Sequence, residues 1–179
     1  MDVEKTKGIT VHSIKHQVSY KNQKFCLIDS PGHIDFVPNM INSALKSNIG
    51  LLVVDSTVGA FEKGFGGGGQ TKEHLLVLKT FAITSLVVVL NKFDVLKESP
   101  MERYEEIKSK LSKYAKSIGF KLLNFVPCSA LTGWNVLKEE KAENSSDDSE
   151  WFNGPSVMDA IINQEMSSLS NVNSNFKLR

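Results

Sequence analysis

The sequence predicts an α/β fold in which a mainly parallel sheet carries helices on both faces. Compact apolar runs at residues 25–28, 51–54, 86–90 and 125–126 do not alternate with polar residues, which is typical of strands covered on both faces. Stretches with helical spacing lie between these runs. From residue 24 onward we therefore expect strand and helix to alternate along the chain.

The beginning of the chain predicts a hairpin. Residues 11–20 mix polar with apolar side chains, and the polar turn Lys21-Asn22-Gln23 separates them from residues 24–29. A short polar turn between two such runs is typical of antiparallel strands. We expect this hairpin at the edge of the sheet.

Four helices are predicted between and after the strands. Three shorter candidates span residues 37–45, 71–80 and 157–167. The longest begins at Pro100, with Ser99 and Glu102 placed to form a capping box and Gly119 placed to end the helix. Its apolar stripe, which should face the sheet, consists of Tyr104, Ile107, Leu111, Tyr114 and Ile118.

Three segments are predicted to lie outside regular structure. Residues 64–69 are rich in glycine and residues 138–150 have no apolar stretch, so we expect both to be mobile surface loops. Residues 167–179 are rich in Ser and Asn. We expect them to form a linker that leaves a domain of residues 1–166.

The composition excludes several classes of function. The 179 residues contain 21 Lys and Arg against 20 Asp and Glu, and this balance excludes the one-signed field of a nucleic-acid coat or a polybasic membrane surface. No apolar run approaches the roughly 18 to 20 residues of a membrane span, and no signal peptide is recognisable, so we expect a cytoplasmic protein without a membrane partner. Cys26 and Cys128 lack metal-ligand spacing, which predicts reduced, buried thiols.

The motif Asp29-Ser30-Pro31-Gly32-His33 follows the first buried strand. Asp29 would lie at the carboxyl end of that strand, where open α/β sheets bind ligands, and its carboxylate can hold a hydrated Mg²⁺. Gly32 allows a backbone amide to approach a phosphate closely, and His33 would lie over that phosphate. On these residues alone, a plain strand-to-helix turn with an exposed histidine is an equal alternative.

Two further motifs follow the predicted strands at residues 86–90 and 125–126. Asn91-Lys92-Phe93-Asp94 ends in a carboxylate that can accept hydrogen bonds from both guanine N1–H and N2–H₂, a donor pair that adenine lacks. Asn91 would tie neighbouring loops together, and the stem of Lys92 would lie along the base. Cys128-Ser129-Ala130-Leu131 offers a backbone amide to the base oxygen. An ordinary polar loop is the alternative for the first motif, and the second is weak by itself.

Together, and in this order, these motifs resemble the translational GTPases, specifically the elongation factor 1-alpha group. Gly8-Ile9-Thr10 is similar to the RGIT element of switch I, with Lys7 in the arginine position, and the resemblance extends over nearly the whole chain. Asp29, Pro31, Gly32 and His33 match the family's DxPGH motif. Asn91, Lys92 and Asp94 match its NKxD motif, and Ser129 and Ala130 match its base-contacting segment. Residues 35–41, 69–74 and 151–154 also resemble this group.

The resemblance implies a fold, ligands and roles. The fold is a P-loop-NTPase-like sheet in the order 2-3-1-4-5-6, the ligands are GTP or GDP with Mg²⁺, and the activity is GTP hydrolysis on the ribosome. Thr10 and Asp29 would contact the metal, and His33 would orient the attacking water. The implied nucleotide-binding residues are Asp29, Gly32, Asn91, Lys92, Asp94, Ser129, Ala130 and Leu131.

Members of this group differ in function. They include the aminoacyl-tRNA carrier, the release-factor GTPase and the ribosome-rescue GTPase that partners Pelota. Residues 35–41 and 68–79 look most like the rescue member, because the carrier usually has Lys or Ser where Pro38 stands. The implied partners are the ribosome and a Pelota-like or tRNA-like factor, with nucleic acid contacted only through ribosome or tRNA. A non-catalytic module that keeps the switch surfaces without nucleotide turnover is the alternative.

The sequence departs from the family in one respect. No GxxxxGK[ST] motif occurs in it, so the first strand, the phosphate loop and the first helix are missing. We expect a fragment of a longer GTPase, inactive alone, whose linker leads toward a β-barrel domain. The missing strand would lie between residues 25–28 and 51–54, which predicts two unpaired apolar edges.

Overall fold

The computed structural model describes residues 10–83, 85–96, 98–137 and 151–175. The strands are β1 (Ile14–Tyr20), β2 (Gln23–Asp29), β3 (Gly50–Asp55), β4 (Ser85–Asn91) and β5 (Leu122–Pro127). The helices are α1 (Val37–Ala44), α2 (Ala60–Phe65), α3 (Gln70–Thr80), α4 (Pro100–Ser117) and α5 (Val157–Asn175), with 3₁₀ turns at Ile34–Phe36 and Phe93–Val95. This order confirms the predicted α/β class.

The strands form two separate sheets. β1 and β2 pair antiparallel across a turn at Lys21 and Asn22, whose φ values of 48° and 61° are those of a two-residue hairpin turn. β3, β4 and β5 pair in parallel in that order. Within the described ranges no strand joins β2 to β3. The predicted hairpin and the predicted gap in the sheet are therefore confirmed. The predicted place of the hairpin is wrong, because β1 and β2 form a sheet of their own instead of the edge of the parallel sheet.

β4 is the central parallel strand and divides the core in two. Leu86, Val88 and Leu90 pack with side chains of α2, α3 and α4, whereas Val87 and Val89 pack with α5. All five are nearly inaccessible to solvent. This strand is buried on both faces, as its uninterrupted apolar run predicts.

β3 differs from that prediction because one of its faces is open. Leu52 and Val54 are buried, whereas Leu51 and Val53 are 39% and 58% exposed. The helix on that side, α5, packs on β4 and β5. The expectation that every apolar run is covered on both faces is therefore wrong for β3, since no described helix covers this part of the sheet. It is also wrong for residues 25–28 of β2, where Cys26 is exposed.

The cysteines and the start of α4 bring two more corrections. Cys128 is buried as predicted, but Cys26 is exposed, because it lies on the outward face of β2.

α4 begins at Pro100 and ends before Gly119, whose φ of 94° stops the helix. Ser99 makes no capping hydrogen bond, because its own backbone is left-handed rather than extended, so the predicted capping box is absent.

The glycine-rich segment is more ordered than predicted. α2 includes Gly64, and the chain then turns back so tightly that a Cβ on Gly69 would lie 2.1 Å from the Gly64 carbonyl oxygen. Only glycine fits there. The sequence does not predict α2, because a six-residue segment interrupted by glycine shows no helical periodicity.

Other predictions fall partly or wholly outside the described residues. The predicted loop at residues 138–150, the switch I residues Lys7, Gly8 and Ile9, and residues 176–179 of the predicted linker lie outside them. α5 continues to Asn175, past the predicted end at Ser167. In the part of the chain that the structure describes, no helix has the length and apolar character needed to cross a membrane.

Candidate functional site

Backbone hydrogen bonds join the loops that follow β3, β4 and β5 at one edge of the sheet. The N–H of Ser56 donates to the carbonyl of Asn91 at 3.1 Å, which links the loops after β3 and β4. The N–H of Phe93 donates to the carbonyl of Cys128 at 3.2 Å, which links the loops after β4 and β5. Polar residues from three strand ends are thereby held in one place, where open α/β sheets bind ligands.

The side chain of Asn91 strengthens this link. Its Oδ1 accepts hydrogen bonds from the N–H of Ala130 at 2.9 Å and the N–H of Lys92 at 2.8 Å. The thiol of Cys128 donates to the same oxygen, with Sγ at 3.8 Å. Burial, and then the nearby charge of Asp94, raise the pKa of Cys128 to about 11, so the thiol keeps its proton and remains a donor.

Asp94 supplies a free acceptor at this edge. It is half-buried in the 3₁₀ turn Phe93–Val95, and its carboxylate accepts no hydrogen bond from any described residue. Phe93 anchors the turn because it is buried and stacks on Trp151, with 5.3 Å between ring centroids. A carboxylate on an anchored turn, with both oxygens available, suits a ligand with two adjacent N–H donors.

Lys92 reaches from the end of β4 to the end of β3. Its Nζ donates to Oδ2 of Asp55 at 2.7 Å, and Oδ1 of Asp55 accepts from the N–H and hydroxyl of Thr57 at 3.0 and 2.7 Å. The hydrogen bond to Asp55 raises the pKa of Lys92. Burial alone would raise the pKa of Asp55, but the bonds from Lys92 and Thr57 outweigh it and lower that pKa. Both groups are charged at neutral pH.

The segment after β5 presents one unoccupied amide. Ser129 is 1% exposed, and its N–H donates to the carbonyl of Trp134 while its Oγ accepts from the N–H of Thr132. The N–H of Ala130 is bound to Asn91. Among described contacts the N–H of Leu131 has no acceptor, and its side chain is 88% exposed. Of the predicted segment, the amide of Leu131 is therefore available to a ligand.

A second group of predicted residues surrounds the Asp29–His33 motif. Asp29 is exposed at the end of β2, and no described residue donates a hydrogen bond to its carboxylate. The carbonyl of Gly32 accepts from Nε2–H of His74 on α3 at 2.8 Å. Nδ1 of His33 accepts from the N–H of Asp35 at 3.3 Å and lies 3.3 Å from a carboxylate oxygen of the same residue. α3 thus supports the peptide that precedes His33.

Thr10 is half-buried, and α1 anchors the chain that follows it. Nδ2 of Asn39 donates to the carbonyl of Val11 at 2.9 Å, and the hydroxyls of Ser13 and Ser43 lie 2.7 Å apart. These contacts fix the segment that leads from Thr10 into β1. The predicted switch I residue is therefore tied to the helix that follows the Asp29–His33 motif.

A Mg²⁺ ion that arrives with a phosphate ligand needs few oxygen donors from the protein. Within the described ranges no group of three or more His, Cys, Asp or Glu side chains could hold a metal. Mg²⁺ commonly uses one or two carboxylates and takes its remaining ligands from phosphates and water. The free carboxylate of Asp29 and the hydroxyl of Thr10 are oxygen donors of the kind and small number that a protein supplies to such an ion.

The structure adds three residues that the sequence analysis missed: Asp55, His74 and Asn39. Asp55 ends β3 as Asn91 ends β4, so its position at a strand end was the available signal. His74 lies within residues 69–74, which resemble the family, but its place there indicates no role. The contact of Asn39 with Val11 joins residues 28 positions apart, and no local pattern indicates it.

The profile of the family described as elongation factor Tu GTP binding domain matches residues 1–167. The chain is 40% identical to protein HBS1 of Drosophila melanogaster over 162 residues, covering 89% of this chain and 24% of that protein. It is also 40% identical to elongation factor 1-alpha of Thermofilum pendens over 160 residues, covering 88% of this chain and 36% of that protein. The chain thus spans about a quarter to a third of these relatives.

Solved structures agree with the fold. The S. cerevisiae Ski7 GTPase-like domain bound to GTP superposes with a TM-score of 0.73 at 25% identity, covering 100% of this chain and 39% of that one. Sup35 complexed with GDP superposes with a TM-score of 0.61 at 31% identity, covering 82% and 33%.

Proposed function

Because the chain belongs to the elongation factor Tu GTP-binding domain family, we propose that it serves a cytoplasmic translation factor as the domain that binds and hydrolyses GTP on the ribosome. The 24% and 36% shares of its relatives that it spans leave room for further domains in such a factor.

The observation that carries the proposal is the set of groups at the carboxyl edge of β4 and β5. The carboxylate of Asp94 can accept two hydrogen bonds, which suits N1–H and N2–H₂ of guanine. The free N–H of Leu131 would donate to the base oxygen. Asn91 holds the two loops together through the N–H of Ala130 at 2.9 Å. Adenine presents the opposite pattern of donors and acceptors and would leave both groups unpaired, which is a strong basis for rejecting it.

The second group of residues would act on the phosphates. The free carboxylate of Asp29 and the hydroxyl of Thr10 would hold the hydrated metal, and Mg²⁺, when bound, neutralises charge on the phosphate oxygens. The flexible backbone at Gly32 would bring an amide close to the terminal phosphate. His33 would orient the attacking water from the side, while His74 keeps the Gly32 carbonyl in place.

We place the factor in ribosome rescue, with a Pelota-like partner. The similarity to fly HBS1 and the presence of Pro38 in the first turn of α1 support this assignment. The equal identity to elongation factor 1-alpha supports a second candidate, an aminoacyl-tRNA carrier. The two differ in what they bring to the ribosome, a protein factor or a charged tRNA.

The experiment uses the full-length protein that contains this domain. We expect GDP to bind at least about 100-fold more tightly than ADP, because adenine leaves the carboxylate of Asp94 unpaired. GTP turnover should rise on adding ribosomes, and rise further with a Pelota-like factor but not with aminoacyl-tRNA. Equal affinity for GDP and ADP would contradict the base site. If aminoacyl-tRNA alone stimulated GTP turnover, the assignment to ribosome rescue would be wrong and the aminoacyl-tRNA carrier would take its place.

A further inference from the structure

We propose that Asp55 is a positioning residue of the nucleotide site: it holds the tip of Lys92, so that the methylene stem of Lys92 forms a fixed wall of the base pocket. This inference rests on the proposed function, because it concerns the same site.

The contact lies where it can control the pocket. Asp55 is the last residue of β3 and pairs in register with Asn91, the residue before Lys92. The Lys92 backbone is left-handed, with a φ of 70°, and its N–H is held by the side chain of Asn91. The 2.7 Å contact of Nζ with Asp55 is a second anchor at the other end of the side chain. A lysine held at both ends loses most of its rotamer freedom.

Asp55 is itself held in one orientation. Its Oδ1 is bound by both polar groups of Thr57, which directs Oδ2 toward Lys92. The guanidinium of Arg103, on α4, donates to the carbonyls of Ser56 at 2.9 Å and Thr57 at 3.1 Å. The loop that carries the carboxylate is therefore fixed from the side of α4.

The exposure of the pair argues for positioning rather than for stability. The side chains of Lys92 and Asp55 are 54% and 32% exposed. Ion pairs that open to water contribute little to folding. The effect of the contact should therefore appear in the shape of the pocket, and only weakly in the melting temperature.

The alternative is a purely structural role, in which Asp55 only closes the turn with Thr57. Asp55→Asn separates the two roles. An asparagine oxygen can still accept from Thr57, but the side chain no longer carries the charge that binds the ammonium of Lys92. Lys92→Met keeps a stem of similar length and removes the group that Asp55 holds.

The test is a double-mutant cycle in the full-length protein, with GDP affinity measured by titration in the presence of Mg²⁺. We expect Asp55→Asn and Lys92→Met each to weaken GDP binding by about 5- to 10-fold. The GDP affinity of the double variant should be within about twofold of that of the single variant that binds GDP less tightly. Asp159→Asn is the matched control, because it removes an equivalent contact of 2.6 Å with Lys21 on the hairpin. It should leave GDP affinity unchanged.

Three outcomes would overturn the inference. The first is a GDP affinity of the Asp55→Asn variant equal to that of the wild type. The second is that Asp55→Asn lowers GDP affinity by the same factor in the wild-type and Lys92→Met backgrounds. The third is a loss of GDP affinity in Asp159→Asn as large as that in Asp55→Asn. A wild-type protein that does not bind GDP would instead contradict the proposed function.

Discussion

Asp94→Asn tests the base site without disturbing the fold. The carboxylate of Asp94 accepts no hydrogen bond from any described residue, and the turn that carries it is anchored by the packing of Phe93 on Trp151. The substitution keeps the size of the side chain, removes its charge and replaces one acceptor oxygen with an N–H₂ donor. We therefore expect the melting temperature to stay the same.

The expected loss for guanine follows from the two hydrogen bonds at stake. A hydrogen bond to a charged group contributes about 1.5 to 3 kcal/mol. In the Asp94→Asn variant one bond loses its charge, and the other becomes a contact between two donors. The loss should be at least about 2 kcal/mol, which is roughly a 30-fold weaker affinity. Xanthine carries an oxygen at C2 in place of the amino group, so it should gain where guanine loses.

The assay is titration of the full-length wild-type and Asp94→Asn proteins with GDP and with xanthosine diphosphate. We expect the two proteins to prefer different bases. Unchanged GDP affinity in the variant would remove Asp94 from the base site. A loss for both nucleotides, together with a lower melting temperature, would mean that Asp94 supports the fold instead.

Three further predictions concern hydrolysis, acid stability and the chain alone. His33→Ala in the full-length protein should leave GDP affinity nearly intact and lower ribosome-stimulated turnover by roughly a hundredfold, because positioning acts on the transition state; unchanged stimulated turnover would refute this. The hydrogen bond from Arg103 holds the pKa of Glu62 at about 2, below its usual 4.5, so this contact stabilises the fold fully above pH 4.5 and is lost as pH falls toward 2. In acid unfolding followed by circular dichroism, Glu62→Gln should flatten that part of the profile, and a profile identical to wild type would contradict it. The 179 residues alone, which lack GxxxxGK[ST], should bind GTP no more tightly than about 1 mM in calorimetry, since a few base contacts must offset the lost freedom of the ligand, and micromolar binding would contradict this.

The elements that the amino-acid sequence predicts correctly are those whose signal is local. The apolar run of β4, the stripe of α4 and the polar turn between β1 and β2 each fit within one segment, because periodicity and turn chemistry depend on neighbouring residues. The order of the motifs then placed Asn91 and the segment after Cys128 at the same edge of the sheet, since the carboxyl ends of parallel strands lie together.

Which groups remain available at that edge depends on contacts between segments that are distant in the sequence. Lys92 and Asp55 are 37 residues apart, and His74 and Gly32 are 42 residues apart, so no local pattern relates them. The exposure of one face of β3 likewise depends on where α5 packs, so the apolar residues of the strand do not predict that exposure. A local sequence pattern indicates whether a segment favours helix, strand or turn. Burial and hydrogen-bond partners depend on segments that only folding brings together.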